Sequence, residues 1–267
     1  MIGQVLIDGE CSDVISVTDS TVVRGDGCFE AIRSYAGVCF RVSDHLDRLE
    51  RSAAALHLEA PPRRRLEQWV ADMGAAGGDC IVRIVITRGG ALPGAAGPGR
   101  CIVITHPVPE RADSLRLAVV PAPWHPAGRS WGLAGVKTTS YAPHMAASRQ
   151  AVECGFDDAL LVSDIGIVLE GPTFTVGWCR SGRVYTPSLS LGILASVTRR
   201  VVMEITEVAE VEEGLDDVGE ADEVFAMSTV KEVVPVVAVG EMTFPPGEIT
   251  RTLAQRLSGL VRSADSH

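Results

Sequence analysis

The 267-residue sequence predicts an α+β fold in two domains. Three observations predict it. Short β patterns come in runs, the few helical stretches between them carry a 3.6-residue apolar period, and proline-punctuated strands between residues 106 and 128 mark a change of domain. We place a small N-terminal α+β domain at 1–110, an interdomain linker region at 111–128 and a large C-terminal domain at 129–267.

"VCFRV" and "CIVRIVIT" read as strands, because β-branched residues alternate or run together between turn residues. From Ser43 to Leu58 the apolar residues Leu46, Leu49, Ala53 and Leu56 recur at helical spacing, so we expect an amphipathic helix capped by Ser43. Arg63, Arg64 and Arg65, the only basic cluster, read as the exposed start of a second helix. Residues 89–100, "GGALPGAAGPGR", hold too much glycine and proline for an ordered element and are expected to form a surface loop. "CIVITHPVP" and "LRLAVVPAPWHPAG" follow as strands. Pro143 suits the first turn of a helix that stops at Gly155. Four β patterns come next: "DALLVS", "GIVLEG", "TFTVGW" and "RVYTP". A helix from Val197 to Ala209, strands "EVFAMST" and "VVPVVAVG", and a helix from Thr250 to Val261 complete the chain.

Net charge is −10, which argues against nucleic acids and anionic membranes as partners. No apolar run approaches the roughly 20 residues that span a bilayer, and the first residues do not resemble a signal peptide, so a cytoplasmic protein is expected. The seven cysteines form no C-x-x-C pair and read as reduced, buried thiols. The six histidines show no metal-ligand spacing, and no metal is expected.

The chemistry-bearing residues lie in the second half. Lys137, in "GLAGVKTTSY", is no phosphate-loop lysine, because Val136 separates it from Gly135. Glu170 ends the apolar pattern "GIVLEG", where a carboxylate is costly unless something positive meets it. "GILASVTRR" enters a helix near Val197 and Thr198, whose free amides form a natural phosphate seat. "AMSTVKEVVPV" puts Ser228 and Thr229 at a strand end. An amine able to form an imine, a carboxylate and separate anion seats are what pyridoxal phosphate requires.

The ordered motifs "VVRGDGCFEAIR", "HLDRL", "VKTTSY", "DDALLVSDIGIVLEGPT", "GILASVTRR" and "STVKEVVPV" resemble the fold-type IV pyridoxal-phosphate enzymes, the branched-chain and D-amino acid aminotransferases and 4-amino-4-deoxychorismate lyases. The likeness runs from about residue 5 to residue 260. It implies an active site in the cleft between domains and a homodimer. In such a dimer the small-domain loop of one chain reaches toward the other's site. It further implies that Lys137 carries the cofactor as a Schiff base and moves the substrate's Cα proton, and that Glu170 faces the pyridine nitrogen. By the same resemblance Arg48, off the apolar stripe of its helix, binds the phosphate with the amides of Val197 and Thr198 and with Ser228 and Thr229. Leu194 packs on the ring and Tyr141 meets its phenolic oxygen.

The loop after "ITRG" lacks the arginine and histidine that bacterial D-amino acid aminotransferases use for the substrate carboxylate. Phe29 replaces a tyrosine common in the family, and Thr175 an asparagine usual in the branched-chain enzymes. Arg24 and Arg88 are then alternative anchors for the carboxylate, with Phe29 beside the substrate. The resemblance implies first a transaminase moving the amino group of a D-amino acid, or also an (R)-amine, to an α-keto acid such as pyruvate or 2-oxoglutarate. The alternative is aminodeoxychorismate lyase, and the third reading is a branched-chain L-amino acid aminotransferase.

Overall fold

The computed structural model describes residues 3–90 and 97–264, so the expected loop falls partly on 91–96, outside the described residues. The chain groups into two compact units. One holds the residues up to Pro109, the stretch Val136–Tyr141 and the chain from Val261 onward; the other holds Glu110–Gly135 and Ala142–Leu260. The stretch carrying Lys137 therefore packs with the first unit, whereas a continuous division of the sequence assigns it to the second part.

The first unit comprises β1 (Val5–Ile7), β2 (Glu10–Cys11), α1 (Ser20–Arg24), β3 (Gly27–Tyr35), β4 (Val38–Cys39), α2 (Val42–Ala55), α3 (Arg63–Gly77), β5 (Cys80–Thr87) and β6 (Cys101–Pro107). Its strands form an antiparallel sheet in the order β2-β1-β6-β5-β3-β4. Side chains alternate across a strand. Accordingly, Cys28 and Ile32 of β3 and Val82, Ile84 and Ile86 of β5 join the core with Leu46 and Leu49 of α2 and Leu66, Val70 and Met73 of α3. Phe29 and Arg83 take the other face.

The strand expected over "VCFRV" is cut to Val38–Cys39, because Arg41 turns the chain at φ +56° and Val42 opens α2. Ser43 is therefore not the cap: it sits inside α2, and its hydroxyl accepts a hydrogen bond from Arg63 Nη2 at 2.9 Å. Arg63 also pairs with Asp47, Glu50 and Glu67, which offsets a cation at the positive end of α3.

The second unit comprises β7 (Leu115–Pro121), α4 (Ala142–Glu153), β8 (Asp158–Val162), β9 (Thr175–Arg180), β10 (Arg183–Pro187), α5 (Val197–Ile205), β11 (Val208–Val211), α6 (Leu215–Gly219), β12 (Glu223–Ser228), β13 (Glu232–Val239), β14 (Met242–Thr243) and α7 (Glu248–Ala264), whose last turn groups with the first unit. Its mixed sheet runs β11-β10-β9-β12-β13-β7-β8, with β14 on β13. One apolar layer gathers Trp178, Phe174, Val176 and Leu117, and another gathers Val120, Leu161, Leu169 and Ile193 with Ala147 and Ala151 of α4.

Two expectations change here. "GIVLEG" is not a ladder strand: Val168 bridges Val162 and Ile167 bridges Gly214, each as an isolated pair. The helix from Val197 stops at Ile205, because Thr206 is extended at φ −154° and leads into β11, which pairs in parallel with β10. Cys11 and Cys154 are exposed rather than buried, although all seven thiols are free.

Candidate active site

Lys137 lies against the start of β3. Phe29 N–H donates to the Lys137 carbonyl at 3.1 Å and Thr139 N–H to the Gly27 carbonyl at 2.8 Å, while Lys137 N–H donates to Ser52 Oγ at 3.2 Å. Thr139 and Ser140 hydroxyls both donate to the Gly25 carbonyl, at 2.7 and 2.9 Å. This close approach needs glycine. A Cβ at Gly25 would stand 2.7 Å from Ser140 Oγ and 3.1 Å from its Cα, and the backbone there is left-handed at φ +70°.

These bonds hold the half-buried Lys137 with its Nζ 4.5 Å from the centre of the Phe29 ring and 5.6 Å from that of Tyr141. The two rings meet edge to face at 5.4 Å. Arg83 brings its guanidinium carbon to 5.0 Å from the same Phe29 ring. Its Nε is buried without a hydrogen-bond partner. Burial lowers the Arg83 pKa, opposed by Tyr141, but a guanidinium stays protonated. An amine and a guanidinium thus share one aromatic ring, whose face attracts cations.

Glu30, next to Phe29 in β3, points to the opposite face and is fully buried. It accepts hydrogen bonds from Arg48 Nε at 2.6 Å and Nη2 at 2.8 Å, and its Oε2 lies 2.8 Å from His45 Nδ1. Arg48 is thus buried within α2 beside His45 and Ser52, rather than standing clear of the helix's packed side. Burial pushes the Glu30 carboxyl up, but the charge and hydrogen bonds of Arg48, with those of His45, more than reverse this and hold it well below the usual carboxylate range. Burial, with the Arg48 and Lys137 charges, holds His45 below the ordinary histidine value despite its bond to Glu30. Burial and Glu30 push the Cys28 thiol up to about 12, so it is no nucleophile at neutral pH.

Arg24 is exposed at the end of α1. Arg88 is half-buried and holds Asp26 through Nε and, at 2.9 Å, through Nη2, which also reaches the Leu56 carbonyl at 2.5 Å. An incoming carboxylate would have to compete with Asp26 for that fork.

In the second unit, Glu170 is 9% exposed, and the Leu194 N–H spans its two oxygens at 3.3 and 3.2 Å. His125 Nε2 lies 3.8 Å from Glu170 Oε1. Leu194 is half-buried, two residues before Ser196, whose Oγ accepts from the Arg199 N–H and caps α5. Val197 and Thr198 are then the first two helical residues, whose N–H groups lack intrahelical acceptors. Ser228 closes β12, its Oγ accepting from the Lys231 N–H at 3.0 Å, and Thr229 follows in the turn.

Sequence reasoning missed Glu30, His45, Ser52 and His125 and left Arg83 aside. The signal available was a lone carboxylate in the buried alternation of "CFEAIR" and a histidine three residues before Arg48.

A putative branched-chain-amino-acid aminotransferase of Methanocaldococcus jannaschii is 31% identical, over 92% of this chain and 91% of that protein. A bifunctional aminodeoxychorismate lyase / D-amino acid transaminase of Mycobacterium tuberculosis is 32% identical over 75% of this chain and 77% of that protein. The PLP-bound structure of a hypothetical aminotransferase from M. tuberculosis superposes with a TM-score of 0.89 at 26% identity, covering 98% of each chain. The amino-transferase class IV family model matches residues 27–239. The chain therefore belongs to the class IV aminotransferases, a fold-type IV family of enzymes whose cofactor is pyridoxal phosphate.

Proposed function

We propose that the protein transfers the amino group of a D-amino acid to an α-keto acid, using Lys137 as its Schiff-base residue. One observation carries this reading most: the Lys137 amine lies over Phe29 and Tyr141, with Arg83 on the same Phe29 ring. A nucleophilic amine and a half-buried guanidinium on one aromatic ring, the latter with its Nε unsatisfied, fit an amino acid that must present both Cα and a carboxylate. The D-amino acid choice is supported by the bifunctional relative and by the absence of the asparagine usual after the glutamate motif in branched-chain enzymes.

The residues present suit pyridoxal phosphate. Glu170, a buried carboxylate with one backbone donor across both oxygens, suits a protonated pyridine nitrogen. The open amides of Val197 and Thr198, with Ser228 and Thr229, suit a phosphate dianion, and Arg48, whose Nε and Nη2 Glu30 holds, is proposed to add its charge to that group. Bound there, the cofactor supplies an electron sink for the pair left at the substrate Cα. Lys137 would take the proton from that carbon and return it two bonds away, on the far side of the nitrogen; Tyr141 would meet the phenolic oxygen and Leu194 would cover the ring. Arg24 and Arg88 remain alternative anchors for the substrate carboxylate, Arg24 with no ion pair among the described residues and Arg88 only by releasing Asp26. We propose a homodimer as the assembly.

The test follows the visible absorbance of the cofactor-loaded protein after D-alanine, D-glutamate, L-leucine or (R)-phenylethylamine. A D-amino acid should bleach the band until a keto acid is added. Bleaching by L-leucine alone overturns the substrate choice, and turnover of aminodeoxychorismate with the band restored after each cycle identifies a lyase instead. Lys137→Ala should remove the band and lower turnover by about 10²–10⁴-fold through lost proton transfer alone.

A further inference from the structure

We infer that His125 is a positioning residue for Glu170, directing Oε2 rather than Oε1 of that carboxylate toward the ring nitrogen of the bound cofactor. This rests on the proposed role of Glu170 and adds a residue that the sequence motifs do not contain.

The backbone after β7 sets the place of His125. His125 N–H donates to the Ala122 carbonyl at 3.0 Å, which closes a turn and buries the imidazole to 7% exposure. Ala127 then takes a left-handed conformation at φ +46°, which non-glycine residues rarely adopt. There its N–H donates to His125 Nδ1 at 3.2 Å. A ring nitrogen that accepts a hydrogen bond carries no proton, so the neutral imidazole holds its hydrogen on Nε2. That nitrogen is the one 3.8 Å from Glu170 Oε1.

The surrounding chain is fixed as well. Gly128 N–H donates to the Leu191 carbonyl at 3.0 Å and Gly135 N–H to the Gly192 carbonyl at 2.9 Å. The loop bearing His125 is thereby tied to the segment whose Leu194 N–H spans both Glu170 oxygens. With that donor lying between the oxygens, each retains an outer lone pair. Oε1 is the oxygen paired with His125. At 3.8 Å the N–H is just beyond hydrogen-bond range, and a small turn about the soft terminal torsion of glutamate completes the bond. Oε2 accepts from Leu194 alone among the described residues, which makes it the oxygen left for a ligand N–H.

His125→Leu removes the donor, and His125→Gln keeps an N–H near the place of Nε2. Binding of pyridoxal phosphate to the cofactor-free protein, and the ¹⁵N shift of ring-labelled cofactor once bound, are compared with the parent. The leucine variant should bind about tenfold more weakly, in line with the usual effect of groups that orient a ligand-binding side chain. Its ¹⁵N signal should move toward that of neutral pyridine. The glutamine variant should recover both properties. An unchanged ¹⁵N shift in His125→Leu overturns the proposal, whatever happens to affinity. If Glu170→Gln also leaves that shift unchanged, the failure belongs to the role given to Glu170. Should the leucine variant not fold, imidazole ¹⁵N spectra of the parent protein decide: a proton on Nε2 is expected, and one on Nδ1 overturns the inference.

Discussion

Glu30 and Phe29 show how neighbouring residues divide their work. One peptide bond apart on β3, they point to opposite faces, so the same strand seats an aromatic ring under Lys137 and a carboxylate against α2. Breaking a buried pair by removing one partner typically costs about 3–5 kcal/mol. Glu30→Gln should lose about that much in urea unfolding at pH 7. Because the folded-state value of Glu30 is depressed, its contribution is full above the unfolded value of about 4.3 and fades as pH falls below it. The gap between variant and parent should therefore shrink below about pH 4. His45 acts in a different window. The folded form keeps it neutral while the unfolded chain takes up a proton near pH 6.5, so stability declines from there downward. His45→Asn should flatten the fall in stability between pH 7 and pH 5; an unchanged slope would mean that His45 is not the group responsible.

Elements were legible where the pattern was local. "CIVRIVIT" runs as β5 over Cys80–Thr87, because apolar residues on one face and the turn residues at its ends are all written within it. "GIVLEG" looked alike and is not a ladder strand, since it bonds Leu161 close by on one side and, on the other, Glu213, which packing brings from far along the chain. α7 makes the same point at a helix start. Pro245, Pro246 and Gly247 offer no side-chain cap, and Glu223 of β12 supplies one. Its Oε1 accepts the Ile249 N–H at 3.0 Å, and its Oε2 accepts the Thr250 N–H at 2.8 Å and the Thr250 hydroxyl at 2.7 Å. Glu223→Ala should destabilise by about 1–3 kcal/mol, because those buried donors lose their acceptor. Gly247→Ala should be comparably harmful, since its Cβ would fall 1.7 Å from Glu223 Cδ. Thermal unfolding of both variants checks this, and a neutral Gly247→Ala would show that the cap can move aside.

For the molecule as a whole, charge is the property most directly set by composition. With net charge −10 at pH 7 and a pI near 5.1, self-repulsion opposes non-specific aggregation at neutral pH and vanishes near pH 5. Light scattering should pass through a maximum there, and heparin resin should not retain the protein at pH 7.5. Retention would reveal a basic surface that the overall balance conceals. Among the described residues, no helix is long and apolar enough to cross a membrane. The sequence by itself determined the α+β class, most strands and the order of motifs that marks the family, because alternation, turn residues and motif spacing are short-range properties of a chain. Only the tertiary structure decided that residues 136–141 pack with the first unit, that Arg48 is clasped by Glu30, and that His125 faces Glu170. Those pairings join positions up to 115 residues apart, and what selects them is the burial of polar and charged groups that must find partners, which no local pattern records.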